Sequence, residues 1–122
     1  MSKLHEKMVT IQSTLKAPKG QTNAFGKYKY RSNEDILEAV KPLLKAEGLM
    51  MTITDNIIEA AGMAVVNATI IVTDGTDSVS VSAQAGIDPN RKGMDIAQSF
   101  GSSSSYARKY AANGMFLIDD TA

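Results

Sequence analysis

Between residues 93 and 118 the sequence GMDIAQSFGSSSSYARKYAANGMFLI spaces its apolar and small residues at helical intervals, which predicts one long helix. At about 100° per residue, Ile96, Phe100, Ser103, Ala107, Tyr110, Ala111 and Gly114 fall on one side as the expected core stripe. Gln98, Gly101, Ser102, Ser105 and Ala112 fall on the other, bracketed by Arg108 and Lys109. That second face has little bulk and two cations, so a phosphate backbone could approach it closely. Its Ser and Gly content is poor helix-forming material, so something other than propensity accounts for it.

Residues 2–16 also predict a helix, with Ser2 as cap and Leu4, Met8, Ile11 and Leu15 in one apolar stripe. That stripe has two places to bury, the chain's own core or a neighbouring subunit. Residues 17–25, with Pro18 and Gly20, read as a loop. Residues 26–31 form a short strand in which Lys27, Lys29 and Arg31 alternate with Tyr28 and Tyr30. Lysines protect an edge strand from aggregation, and the same strip would attract an anion. A second helix runs from a Ser32 or Asn33 cap to about Glu47, with Ile36, Leu37, Val40, Leu43 and Leu44 inward and Gly48 as its stop. Pro42 is expected to kink or divide it. Glu34, Asp35 and Glu38 sit at its positive end and read as structural.

Three strands follow. Residues 49–59 place Met51, Ile53 and Ile57 on one face, with an expected irregularity at Asp55-Asn56. Ala60-Ala61-Gly62 turns the chain. Residues 63–73 place Val66, Ala68, Ile70 and Val72 inward, and Asp74-Gly75 signals a hairpin. Residues 78–85 alternate cleanly, with Val79, Val81, Ala83 and Ala85 inward and Ser78, Ser80, Ser82 and Gln84 outward. The fold class is therefore α+β: an antiparallel three-stranded meander and a short N-terminal strand, packed against a long C-terminal helix and two further helices.

The length, 122 residues, suits one domain over residues 1–122: helix and loop in 1–25, core in 26–118, and no C-terminal tail beyond. There is no Cys and a single His, His5, which leaves little for thiolate, disulfide or imidazole chemistry. Neither a phosphate-binding GxxxxGK[ST] loop nor a metal motif occurs. The single His is remote from the serines in sequence, and although a Ser–Lys dyad with Lys109 is conceivable, runs of Ser are far more often structural or backbone-binding. The expectation is a protein that is not an enzyme and uses no cofactor or metal. No stretch reads as a membrane span or signal peptide, which points to the cytoplasm.

Net charge is zero, yet the charges are segregated. From Lys7 to Asn33 there are six cations and no acid; from Ala46 to Asn90 there are six acids and no cation. Arg91, Lys92, Arg108 and Lys109 then restore the positive sign. Local patches of this kind attract polyanions whatever the total.

The stretches GKYKYRSNEDILEAVKPLLKAEGL and AQAGIDPNRKGMDIAQSFGSSSSYARKYAANGMFLI, in this order, resemble the ERF (essential recombination function) family of phage single-strand annealing proteins. The resemblance runs from about Gly26 to Ile118. It implies an ATP-independent protein that coats single-stranded DNA and pairs complementary strands for phage recombination, acting as a ring or helical oligomer. It implies backbone contacts from Arg31, from Arg91 and Lys92 ahead of the long helix, and from Arg108 and Lys109 on it. The basic strand adds Lys27, Lys29, Tyr28 and Tyr30, and the small-residue face adds Ser105. Implied partners are single-stranded DNA, its complement, further copies of the chain, and a host single-strand binding protein through a tail not present here. Two alternatives from other classes stay open at this point: a non-annealing single-stranded nucleic-acid binding module that stacks bases on its tyrosines, and an oligomeric protein-interaction scaffold.

Overall fold

The computed structural model describes residues 3–17, 21–23, 28–30, 32–88, 93 and 95–118. Eight elements follow one another: α1 (Lys3–Thr14), β1 (Gln21–Asn23), β2 (Tyr28–Tyr30), α2 (Asn33–Glu47), β3 (Met50–Ala60), β4 (Met63–Thr73), β5 (Ser78–Gly86) and α3 (Ile96–Phe116). Strands β3, β4 and β5 form an antiparallel meander. Strands β1 and β2 pair in a separate ribbon, with Thr22 opposite Lys29. β2 lies inside the strand expected at 26–31, and β1 occupies part of the stretch expected as loop. Gly26, Lys27 and Arg31 lie outside the described residues.

The meander's covered face carries Met51, Ile53, Asp55 and Ile57 of β3 beside Val72, Ile70, Ala68 and Val66 of β4 and Val79, Val81, Ala83 and Ala85 of β5. The four β4 residues are fully buried. The main core gathers Leu4, Met8 and Ile11 of α1, Ile36, Val40 and Leu44 of α2, Ile70 and Val72 of β4, and Ala111, Ala112, Met115 and Phe116 of α3. The α1 stripe is thus buried within the chain, and the Gln12 amide donates to the Met115 carbonyl at 2.9 Å. Of its two possible burial places it takes the first, so this stripe supplies no reason for a second subunit.

Helix α2 begins in a capping box, the Asp35 N–H donating to Ser32 Oγ at 3.2 Å and the Ser32 N–H to Asp35 Oδ2 at 2.8 Å. It ends at Gly48 in the left-handed region (φ 67°), the N–H of Leu49 returning to the Leu44 carbonyl. Of the two outcomes expected at Pro42, a kink or a division, the division does not occur: the helix is continuous from Asn33 to Glu47. Pro42 and Glu38 are both exposed, so the Glu38 carbonyl that loses its intrahelical partner faces solvent.

The expected irregularity at Asp55-Asn56 is also absent. The β3–β4 register runs one-to-one through Asp55↔Ala68 and Asn56↔Asn67. On the open face Asn67 joins Asn56 and Gln84, and Thr69 bonds Ser82, in polar rows across the strands. The β4–β5 connection is longer than a two-residue hairpin: Asp74 Oδ1 accepts from the N–H groups of Thr76 and Asp77. The β3–β4 turn is a two-residue one in which Ala61 (φ 53°) and Gly62 (φ 78°) both take positive φ. Left-handed backbone costs an alanine about 1 kcal/mol or more, whereas asparagine followed by glycine suits this turn. Ala61→Asn is expected to raise the melting temperature by about 3–5 °C; an unchanged or lower value in a thermal melt counts against this.

Candidate nucleic-acid interface

Helix α3 carries the residues that the sequence singled out most strongly. It starts at Ile96, later than expected, because Asp95 caps it: Asp95 Oδ1 accepts from the Gln98 N–H at 2.8 Å, and Gln98 Oε1 accepts from the Asp95 N–H at 3.1 Å. The buried row is Ser99, Ser103, Ala107, Ala111 and Met115, joined by Ala112 and Phe116 near the end. This corrects the expected stripe. Ser103, Ala107 and Ala111 belong to it, but Ile96, Phe100, Tyr110 and Gly114 are exposed, and Ala112, assigned to the outer face, is in the core. The helix crosses the sheet along its four-residue row, which advances about 40° around the axis at each step. No fixed face could describe it.

Small residues let the helix lie close to the strands. Ser99 Oγ donates to the Asp88 carbonyl and Ser103 Oγ to the Gly86 carbonyl, each at 2.7 Å. Ser104 Oγ donates to Asp55 Oδ2 at 2.5 Å. Much of the unusual serine content therefore serves the seam between α3 and the sheet, not a ligand.

Arg108 sits on the β3 flank of α3. Its Nε donates to Asp55 Oδ1 at 3.2 Å and its Nη2 to Asp55 Oδ2 at 3.1 Å, a forked pair. The Arg108 side chain keeps 35% of its accessible surface and that of Asp55 keeps 14%. Burial by itself would push the Asp55 carboxyl up. The hydrogen bonds from Arg108 and Ser104, with the Arg108 charge, outweigh burial and hold it below the ordinary carboxylate value.

Sequence reasoning missed Asp55 as part of this site. The signal was there in its parity: it shares a strand face with Met51 and Ile53, so an inward carboxylate required a cation opposite. Lys109, half-buried, stands one residue further round the helix, and Ser105 is exposed. Gly101 is exposed, and a Cβ added there would meet nothing within 4 Å. The structure thus puts Ser105, Arg108 and Lys109 on one helix, with Arg108 already engaged by a carboxylate. Tyr28, Lys29 and Tyr30 lie on β2. Lys27, Arg31, Arg91 and Lys92 fall outside the described residues.

The profile of the ERF superfamily matches residues 4–122 of this sequence. The chain belongs to that family. The ERF match takes in α1, α2, the whole meander and α3, so both sides of the Asp55–Arg108 pair lie within it. The essential recombination function protein of Salmonella phage P22 is 55% identical over 121 residues, covering 98% of this chain. The chain spans 58% of the length of that ERF relative. No solved structure matches it. Among the described residues, no helix is long and apolar enough to cross a membrane.

Proposed function

We propose that this protein binds single-stranded DNA and anneals complementary strands without ATP, as an oligomer, in recombination of phage DNA in the cytoplasm of the bacterial host. The observation that carries this reading is the ERF match along nearly the whole chain, together with the 55% identity to a protein named for recombination. The work is physical and not catalytic. Cations hold the phosphates of one strand, contacts that carry no sequence information. Bases left exposed test a second strand, and Watson–Crick pairing selects it. Repetition of weak contacts along an oligomer raises affinity for long strands. The proposed contacts are Lys27, Lys29, Arg31, Arg91, Lys92, Arg108 and Lys109, with Tyr28, Tyr30 and Ser105 beside them.

The test mixes two complementary labelled oligonucleotides with the protein in the absence of ATP and follows duplex formation by fluorescence. Annealing faster than the protein-free rate is expected. If about four to six phosphates are neutralised per subunit, log affinity for a single strand falls against log salt with a slope of about −3 to −4. Binding without annealing would identify a single-strand binding module instead, and no binding would identify a scaffold.

A further inference from the structure

Among the described residues the meander has two unpaired edges, β5 and β3; β3 carries Asp55, turned inward and held by Arg108, and Glu59 near its end. β5 reads SVSVSAQAG over nine residues, with no charge and no proline. The β4–β5 and β3–β4 registers are one-to-one throughout, so no bulge twists either edge away. Among the described residues no strand pairs with the outer side of β3 or β5. Helix α1 and the first residues of β5, Ser78 and Val79, line one shared pocket.

The direction of the unpaired groups follows from the ladder. The bonds from the Asp74 N–H to the Asp77 carbonyl and from the Ile87 N–H to the Ala64 carbonyl fall on pairs of the same parity as Val72↔Val79. The odd-numbered residues of β5 therefore bond to β4, and the N–H and C=O groups of Ser80, Ser82 and Gln84 point outward. On β4 the odd-numbered residues are left to bond β3, whose even-numbered residues answer them. The backbones of Ile53, Asp55 and Ile57 then face outward on the other edge.

Each edge is bordered by exposed apolar side chains, and the two borders differ. Arg108 and Ser104 of α3 reach β3, whereas a Cβ at Gly114 would lie 3.6 Å from Val81 of β5. Tyr110 and Tyr106, on the same side of the helix as Gly114, are exposed by 46% and 50%, with ring centroids 6.1 Å apart. Beside β3, Ile57 is 51% exposed, and Phe100 and Ile96 follow the Ser104 side of α3 towards its start.

We infer that the β5 edge of one copy pairs with the β3 edge of the next, head to tail, joining their meanders into one sheet. The occupant is a second copy because the chain offers two long, unbulged, dissimilar edges at opposite sides of one sheet, each with its own apolar border. β3 and β5 both run antiparallel to β4 and so point the same way. A rotation about an axis along the strands joins them in parallel and keeps every α3 on the same side of the sheet. Tyr106 and Tyr110 of one copy then face Ile57, Phe100 and Ile96 of the next. A rotation that closes gives a ring, and one that does not gives a helical filament. This deepens the oligomeric part of the function proposed above by naming the surface that builds it.

Proline on an edge strand, where its missing N–H faces outward, blocks pairing while leaving the internal ladder whole. Ser80→Pro on β5 and Ile57→Pro on β3 meet that condition. Val81→Pro removes an internal bond and shows what loss of fold looks like in a circular dichroism melt. Light scattering at micromolar protein without DNA is expected to show a wild-type multimer and a single 13.0 kDa subunit for each edge variant. Mixing the two variants is expected to give a dimer and nothing larger, because one intact β5 edge and one intact β3 edge remain. Should an edge variant melt as Val81→Pro does, Ser80→Lys and Ile57→Lys replace the pair, since an edge lysine also blocks pairing. Folded variants that keep the wild-type mass overturn the inference. So does a dimer of Ile57→Pro alone beside monomeric Ser80→Pro, which would mean two-fold β5–β5 pairing, and so does a monomeric wild type. The readout needs no DNA. A wild-type multimer that loses its mass in both variants but does not anneal overturns only the function, and one that anneals with unaffected variants overturns only the edges.

Discussion

Ala107→Leu is expected to destabilise the protein by about 3 kcal/mol, the upper end of the range for overpacking a core. Ala107 is fully buried in a cluster with Val66, Ala68 and Ile87, and is itself one of the small residues that bring α3 down onto the sheet. Ala107 has no exposed surface, so the extra atoms of leucine have to displace packed neighbours. Leucine has to lift the helix, and lifting it pulls the Ser103 hydroxyl from the Gly86 carbonyl and Ser99 from Asp88. The loss appears as a fall of roughly 10–15 °C in melting temperature. Ser105→Leu, on the exposed side of the same helix, introduces the same side chain and is expected to stay within about 0.5 kcal/mol of wild type. Equal melting temperatures for the two variants would show that the seam is not close-packed.

The same residues explain what could be read in the sequence and what could not. The meander was legible because β4 and β5 alternate without interruption, and Val66, Ala68, Ile70 and Val72 are all buried as their parity requires. Helix α2 was legible because Ile36, Val40 and Leu44 are large and regularly spaced. The phase of α3 was not. Its buried row is made of Ser and Ala, whose hydropathy hardly distinguishes inside from outside, so Phe100 and Tyr110 drew the expected stripe to themselves. The unbroken course of α2 through Pro42 depended on which side of the helix met solvent. At the candidate site, Arg108 and Lys109 were visible as a basic pair on a lean helix. The partner of Arg108 was not, because Asp55 stands 53 residues earlier in the chain and only the fold brings the two together.

That pairing sets the last expectation. Arg108 cannot give all of its donors to a phosphate while its Nε and Nη2 are held by Asp55. If Arg108 contacts the DNA backbone as proposed, Asp55 competes with the phosphate for it. Asp55→Asn keeps the shape and removes the charge. It is expected to cost about 1–2 kcal/mol of stability, since charge-assisted hydrogen bonds are lost at a partly exposed site. It is also expected to tighten single-strand binding several-fold and to steepen the salt slope by about 0.7, one further phosphate contact. Arg108→Ala is worse on both counts: it strands a carboxylate that keeps only 14% of its surface, and it removes the contact. The pH dependence separates the two roles. The folded carboxyl of Asp55 lies below its ordinary value of 3.8, so its stabilisation is fully present above that value and disappears as pH falls through the folded one. The stability gap between wild type and Asp55→Asn should therefore be constant near neutrality and close in acid below about pH 4. An Asp55→Asn protein that is less stable yet binds with unchanged affinity and salt slope would assign the Asp55–Arg108 pair to the architecture of the seam and place the phosphate path on other cations.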